Sequence, residues 1–309
     1  MIANHVASFD REYLALQSGQ AIVEFEGWSN ITVTGADRHA FLHNFCTNDV
    51  KRLAPGASCE AFFTNVKGKI VAHGWILCRE EELIFWGAPG QGQELVEHLD
   101  RYVIRDDVSL HDTTGKRSFL LVVGETRPKE SSEFVPNKLP CRGDIRLHEL
   151  TVSKTSSVAQ NYVDRGFVVA GPTAVLAGRV EAGLPLFGTD FDGSNLPQEI
   201  GRDKEALSFT KGCYLGQETV ARIDALGHVN QKIVGIRFSD TKIPKPGTEV
   251  ALGDAKVGKV TSVAFSPKLR APLALAMLRR EAIEVGTKLH SPAGECEIVE
   301  LPLAADMED

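Results

Sequence analysis

Apolar and polar residues alternate along much of the first half of the chain, as they do in strands that are buried on one face. The alternation predicts a strand pair within residues 20–34 and a hairpin between Phe62 and Leu77 that turns at 65–69. Further strands are predicted at 83–86, 108–110, 118–123, 145–152 and 166–170. The polar, proline-containing stretch 125–144 is expected to be a loop, and so is most of 183–199.

A helical period is clearest between Gln91 and Val103, where Leu95, Leu99 and Tyr102 fall on one side. Shorter helices are predicted at 36–45, at 173–182 and from Gln217 onward. No element is assigned to the first twenty residues. Because they carry acidic residues and no continuous apolar segment, we expect that they are not a secretory signal.

The pattern changes beyond Gly227. Short β-prone segments then recur between clusters of Gly, Pro, Asp and Ser, at 232–238, 250–252, 255–265, 273–278 and 296–301. Evenly spaced short strands of this kind favour a small barrel or sandwich. We therefore place a domain boundary near 228–232 and expect residues 304–309 to be a frayed acidic tail.

Composition and charge exclude several classes of binding partner. The chain has 309 residues, 43% of them hydrophobic and 24% charged, with a net charge of −7, which argues against general attraction to nucleic acid or to anionic membranes. No apolar stretch is long enough for a membrane helix, and we expect a cytoplasmic protein. The six cysteines are scattered without CxxC or zinc-ligand spacing, so neither a metal site nor a disulfide framework is expected.

One cysteine has neighbours that suggest chemistry. Gly212 and Gly216 bracket Cys213 in a segment expected to be a tight loop before a helix. The helix N-terminus and Lys211 would both favour the thiolate, the reactive form of cysteine, and Tyr214 adds an aromatic face and a hydroxyl. The residues alone leave two interpretations open, a reactive thiol or a buried cysteine in a turn shaped by glycines.

The segment Lys211-Gly212-Cys213-Tyr214-Leu215-Gly216-Gln217-Glu218, followed by Val-Ala-Arg, resembles the KGCYxGQE signature of the folate-binding YgfZ family. That family is similar in plan to the glycine cleavage T-protein, a tetrahydrofolate-dependent aminomethyltransferase. Other segments fit the same resemblance, namely 33–37, 47–50, 179–188 and 197–199.

The resemblance implies a fold and its divisions. It implies an α+β, T-protein-like body of three domains, in which the N-terminal and central domains interleave and a β-barrel follows. The expected ranges are 1–115 for a folate-binding part, 116–229 for a central part that carries the cysteine motif, and 230–309 for the barrel.

The resemblance also implies roles for residues. Cys213 and Lys211 become the candidate catalytic pair, and the carboxylate of Glu181 becomes the candidate that holds the pterin of tetrahydrofolate. The remaining candidates for folate binding are Asn65, Asn48, Glu199, Tyr214 and Arg222. The first three of these are equally explicable as turn residues.

One departure from the T-protein pattern matters. T-proteins carry a catalytic aspartate just after the turn at 65–70, whereas this chain reads Val71-Ala72-His73-Gly74-Trp75, with no carboxylate. His73 could substitute, because imidazole titrates near neutral pH. The leading hypothesis is therefore a tetrahydrofolate-binding accessory protein whose partners are iron–sulfur client or assembly proteins. The alternatives are an active aminomethyltransferase and a folate-binding module without chemistry.

Overall fold

The computed structural model describes residues 2–124, 133–134 and 145–303. The chain opens with helix α1, Ile2–Ser18, and then forms two five-stranded sheets and a closed six-stranded barrel. The loop predicted at 125–144 and the tail predicted at 304–309 lie outside the described residues, apart from the short strand at 133–134.

The first sheet is antiparallel, with strand order β3-β4-β5-β2-β6. Its strands are β2 Ser29–Thr34, β3 Ser58–Thr64, β4 Ile70–Cys78, β5 Leu83–Gly87 and β6 Ser109–Asp112. Helices α2, Arg38–His43, and α3, Gly92–Asp100, accompany it. Every residue of β4 and β5 is buried, because these central strands are covered on both faces.

The second sheet has strand order β10-β1-β7-β9-β8. Its strands are β1 Ala21–Phe25, β7 Arg117–Val123, β8 Glu133–Phe134, β9 Ile145–Thr151 and β10 Val168–Val169, and its helices are α4 Val152–Asp164 and α5 Pro172–Glu181. Strand β1 pairs with β7, so the chain enters the second sheet, builds the whole first sheet and then returns. The two sheets are therefore interleaved in sequence.

A connecting region leads to the barrel. It contains a 3-10 helix at Pro197–Glu199 and helices α6 Asp203–Ala206 and α7 Gln217–Leu226. The barrel strands are β11 Gln231–Phe238, β12 Glu249–Leu252, β13 Ala255–Ser266, β14 Ala271–Arg279, β15 Lys288–Ser291 and β16 Gly294–Val299. Pairing of β11 with β16 closes the barrel, which removes its free edges.

The largest apolar core lies between the two sheets and extends to the barrel. Trp86 of β5, Phe119 of β7 and Leu275 of β14 belong to this one cluster. Separate clusters fill the outer face of the first sheet and the barrel interior. The centre of the molecule is thus the place where residues from all three units meet.

Two longer helices, α1 and α4, were not predicted. Helix α1, Ile2–Ser18, lies in the segment to which no element was assigned, and it buries Tyr13 and Leu16 in the central core. The strand predicted at 145–152 is confirmed as β9, Ile145–Thr151, but α4, which follows it directly and buries Ala159 and Tyr162, was not predicted. Both helices have narrow apolar stripes, so their sequences carry a weak helical period.

Candidate functional site

The loop that carries Cys213 is fixed by hydrogen bonds to two distant parts of the first sheet. The Leu215 N–H donates to the Asn44 carbonyl at 2.9 Å, and the Thr64 hydroxyl donates to the Leu215 carbonyl at 2.6 Å. The Ser208 N–H donates to the Thr47 carbonyl at 2.9 Å. The loop therefore lies across the segment after α2 and the end of β3.

Lys211 is an anchor of this loop. Its ammonium donates hydrogen bonds to three backbone carbonyls, those of His43, Cys46 and Asn48. Burial lowers the pKa of Lys211, and the three carbonyl dipoles favour the charged form in return. This geometry gives the lysine a structural role in holding 43–48 against the loop, and its catalytic role stays a prediction.

Cys213 and Tyr214 lie in different environments. Cys213 is exposed, whereas Cys46, Cys78 and Cys296 are buried and Cys59 is half-buried. Tyr214 is buried, its ring lies 4.9 Å from the Lys211 ammonium, and burial raises its pKa to about 12. Cys213, the cysteine that the sequence set apart from the others, is therefore a surface thiol. All five of these cysteines are free.

Gly216 permits the close approach of α7 to the hairpin turn. Its φ is +83°, and a Cβ there would lie 2.4 Å from the Asn65 carbonyl oxygen. Gly227 ends the same helix with φ +72° but has open space around it.

The two glycines form a matched pair for a stability test. We expect Gly216→Ala to lower the free energy of unfolding by about 3 kcal/mol or more, because strain and a backbone clash add. Gly227→Ala should cost only about 1 kcal/mol, from the left-handed conformation alone. Urea denaturation of both variants checks this, and equal losses would contradict the packing argument.

Glu181 is buried beside the barrel and is already hydrogen-bonded within the protein. The Tyr13 hydroxyl donates to one carboxylate oxygen at 2.7 Å, and the Ser266 hydroxyl donates to the other at 2.5 Å. Lys268 lies 3.9 Å from the same carboxylate. The carboxylate therefore joins α5 to α1 and β13, and its pterin-binding role stays a prediction.

The other predicted folate ligands are dispersed. Asn65 accepts hydrogen bonds from the Lys67 and Lys69 N–H groups, as a turn residue does. Asn48 donates to the Glu60 and Glu205 carbonyls. Glu199 accepts from Asn195, Leu196 and Gln231, and Arg222 is exposed on α7. Asn48 and Asn65 lie near the Cys213 loop, whereas Glu181 and Glu199 contact the barrel strands.

A buried cluster of ionisable side chains includes His73, which lies in the segment 71–75 where the expected carboxylate is missing. His73 Nε2 lies 2.8 Å from Glu60 Oε1, and Arg202 contacts both carboxylate oxygens of Glu60, at 3.0 and 2.5 Å. Glu60 is 1% and His73 3% exposed. The His73 ring stacks on Phe62, with centroids 4.5 Å apart. Burial by itself would raise the pKa of Glu60, but its hydrogen bonds with His73 and Arg202 lower it to about 2.

This cluster was not predicted from the sequence. Phe62 is paired with His73 across β3 and β4, so Glu60 lies diagonally across the hairpin from His73. The sequence did contain one signal for this cluster, namely two ionisable residues, Glu60 and His73, within otherwise apolar strands. Arg202 could not be found in the same way, because it is 142 residues from Glu60 along the chain.

The depressed pKa of Glu60 predicts a pH dependence of stability. The folded value, about 2, lies below the ordinary value of 4.5, so the stabilisation is complete above about pH 4.5 and is lost as pH falls towards 2. This shift corresponds to about 3 kcal/mol. We therefore expect the stability difference between the wild type and Glu60→Gln, measured by urea denaturation, to shrink between pH 5 and pH 2.5. A constant difference across this range would refute the assignment.

An apolar cavity lies among the first sheet, the second sheet and α5. Its volume is about 450 Å³. Its walls are mostly apolar and come from α1, β1, the turn after β1, β5, β7, α5 and the segment 184–189. They include Leu16, Phe25, Trp28, Trp86, Leu121 and Val175. Arg179 also lines it, but its guanidinium is bound to Asp190, Ser262 and the Leu184 carbonyl. None of the predicted site residues lines this cavity.

The indole rings give the cavity a particular character. Trp28 and Trp86 are stacked, with centroids 4.7 Å apart, and Phe25 packs edge-on against both. The Trp86 ring nitrogen is buried without a hydrogen-bond partner among the described residues.

Among the residues that the structure describes, no group of three His, Cys, Asp or Glu side chains could hold a metal ion. No described helix has the length and apolarity needed to cross a membrane.

Comparison with known proteins gives this architecture a family. Residues 3–129 match the GCVT N-terminal domain, and residues 231–303 match the glycine cleavage T-protein C-terminal barrel domain. The chain is 24% identical to the aminomethyltransferase of Thermoanaerobacter sp. strain X514, over 90% of this chain and 83% of that protein. It is also 24% identical to a chloroplastic protein of Arabidopsis thaliana, provisionally named a transferase, over 91% of this chain and 71% of that protein.

The fold has a solved counterpart. The structure of the glycine cleavage system aminomethyltransferase T from Bartonella henselae superposes with a TM-score of 0.82 at 16% identity, covering 96% of this chain and 89% of that one. The fold is therefore that of a T-protein-like α+β body with a C-terminal barrel, which confirms the predicted fold class. The chain belongs to the glycine cleavage T-protein-like family of aminomethyltransferase relatives.

Proposed function

We propose that this chain is a tetrahydrofolate-binding accessory protein that supports the assembly or repair of iron–sulfur clusters. The observation that carries the proposal is the aromatic cavity of about 450 Å³ between the sheets, in a chain whose relatives are aminomethyltransferases. Cavities of this size and character are typical of small-molecule sites.

The cavity fits a flat aromatic ligand. Pterins stack on aromatic rings, and the half-buried Phe25 and Trp28 offer such surfaces, whereas Trp86 is fully buried behind them. Phe25 and Trp28 would hold the pterin, and bound tetrahydrofolate would supply a one-carbon carrier or a reductant.

The geometry around His73 supports a role other than aminomethyl transfer. No carboxylate occurs between Val71 and Trp75, and the His73 imidazole is hydrogen-bonded to Glu60 and stacked on Phe62. A ring held in this way is not free to replace the missing acid or base. Measurement of methylene-tetrahydrofolate formation with the other glycine cleavage components tests this directly. Clear turnover would overturn the accessory role in favour of the transferase.

The link to iron–sulfur clusters depends on Cys213. The described residues form no ligand set able to hold a cluster, so the cluster would belong to a client protein. An exposed thiol on an anchored loop is suited to a transient contact with a cluster iron or a partner's sulfur.

Complementation of a deletion strain tests the role of the thiol. We expect Cys213→Ala to lose most of the restored activity of cluster-containing enzymes and to bind tetrahydrofolate with unchanged affinity, because the thiol does not line the cavity. Thr210→Ala, an exposed change in the same loop, is the control and should complement fully. Full complementation by Cys213→Ala would remove the thiol from the proposal.

A further inference from the structure

Arg179 of α5 has a hydrogen-bond donor that the fold leaves unused. Its Nη1 donates to the Asp190 carboxylate at 2.6 Å and to the Leu184 carbonyl at 2.9 Å, and its Nη2 donates to the Ser262 hydroxyl at 2.5 Å. Its Nε–H, one of the five N–H donors of a guanidinium, has no partner among the residues that the structure describes. An arginine that is only 7% exposed therefore keeps a free donor.

The free donor borders the aromatic cavity. Arg179 and its neighbour Gly178 both line that cavity. A Cβ placed on Gly178 would meet no atom within 4 Å, so this turn of α5 faces open space. Arg179 Nε is not one of the fully buried side-chain nitrogens that lack a partner, so it is open to a small molecule and is not sealed in the core. We therefore expect a ligand in the cavity to meet this N–H.

The charge around Arg179 indicates which kind of ligand atom suits the donor. Asp190, whose side chain is fully buried, already forms an ion pair with the guanidinium. The Thr261 hydroxyl and the Leu186 N–H also donate to Asp190, which holds the carboxylate in place. Because the positive charge is already compensated, a second carboxylate would be desolvated for little gain. An uncharged carbonyl oxygen is the better acceptor for the remaining N–H.

We infer that Arg179 makes the cavity selective for a 4-oxo pteridine, because its Nε–H donates to the ring carbonyl at position 4 of the pterin. The inference rests on the proposed folate function and adds a residue that determines specificity. Phe25 and Trp28 would contact any flat ring of this size, whereas Arg179 distinguishes the atoms at its edge. A 4-amino pteridine carries N–H donors at that position, so the Nε–H would face another donor and stay unpaired.

The test compares tetrahydrofolate with tetrahydroaminopterin, which differ only in the oxo or amino group at ring position 4. Isothermal titration calorimetry under anaerobic conditions gives both affinities. We expect the wild type to bind tetrahydrofolate at least about tenfold more tightly, because a site that hydrogen-bonds a ligand group rejects the analogue that lacks it. Arg179→Lys keeps a cation for Asp190 but removes the Nε–H, so the preference should fall below about twofold.

A second variant controls for disturbance of the buried network around Arg179. Thr261→Val removes a hydrogen bond to Asp190 from the barrel side, and Thr261 does not line the cavity. This variant should melt at a lower temperature than the wild type and retain the preference for tetrahydrofolate. A purely structural role of Arg179 would instead make Arg179→Lys lose affinity for both ligands by the same factor.

The outcomes separate this inference from the proposed function. Equal affinities of the wild type for the two ligands, or an undiminished preference in Arg179→Lys, would overturn the role of Arg179 and leave the folate site in place. Equal loss of both affinities in Arg179→Lys would overturn it as well. If the wild type did not bind tetrahydrofolate, the proposed function would fail, and this inference with it.

Discussion

Replacement of Arg202 with methionine is expected to lower the free energy of unfolding by about 3–5 kcal/mol. Arg202 supplies two hydrogen bonds to the buried Glu60 carboxylate. Removal of one partner of a buried ion pair leaves an uncompensated charge, and this is far costlier than the loss of an exposed pair. His73 alone would then face a carboxylate that is 1% exposed. Urea denaturation at pH 7 measures the loss.

A matched arginine provides the control for this prediction. Arg222 is exposed on α7, and Arg222→Met should change stability by less than about 0.5 kcal/mol. The double variant Glu60→Gln, Arg202→Met should recover part of the loss, because it removes the buried charge together with its partner. A loss in Arg202→Met no larger than that in Arg222→Met would show that the cluster does not stabilise the fold.

Filling the aromatic cavity should strongly weaken folate binding. Val175 lies on the cavity-facing side of α5 and is only partly buried, so a tryptophan there can enter the cavity without displacing the packed core. We expect Val175→Trp to weaken tetrahydrofolate binding by about a hundredfold or more, equivalent to about 3 kcal/mol. Isothermal titration calorimetry measures the affinity directly.

The same helix offers the control for the cavity. Thr173 is exposed and does not line the cavity, so Thr173→Trp adds the same indole two residues away. That variant should bind tetrahydrofolate as the wild type does. If Val175→Trp kept wild-type affinity and a native thermal melt, the ligand site would have to lie elsewhere.

The strands of the two sheets and the barrel were predictable because their residues alternate or form short apolar runs between turns. The strand predicted at 118–123 is β7, Arg117–Val123, and the helix predicted at 91–103 is α3, Gly92–Asp100. Strand β15, Lys288–Ser291, was not predicted, because only Leu289 in it is fully buried. Helices and strands were predicted correctly where the local sequence pattern agrees with burial in the tertiary structure.

The site was predictable only in part, because its contacts join distant residues. The position of Lys211 near Cys213 suggested a catalytic role. Its ammonium, however, binds backbone carbonyls more than 160 residues earlier in the chain. His73 was visible in the sequence, whereas its partnership with Glu60 and Arg202 required the hairpin register and α6. The cavity takes its walls from segments spread along the chain between Leu16 and Thr189, and no local pattern marks it.

The central claim is that tetrahydrofolate binds between the aromatic walls of this cavity. A crystal structure of the protein soaked with tetrahydrofolate tests it most directly. The account predicts density for the pterin ring beside Phe25 and Trp28. A pterin bound instead against the Cys213 loop, or an empty cavity at saturating ligand, would contradict it.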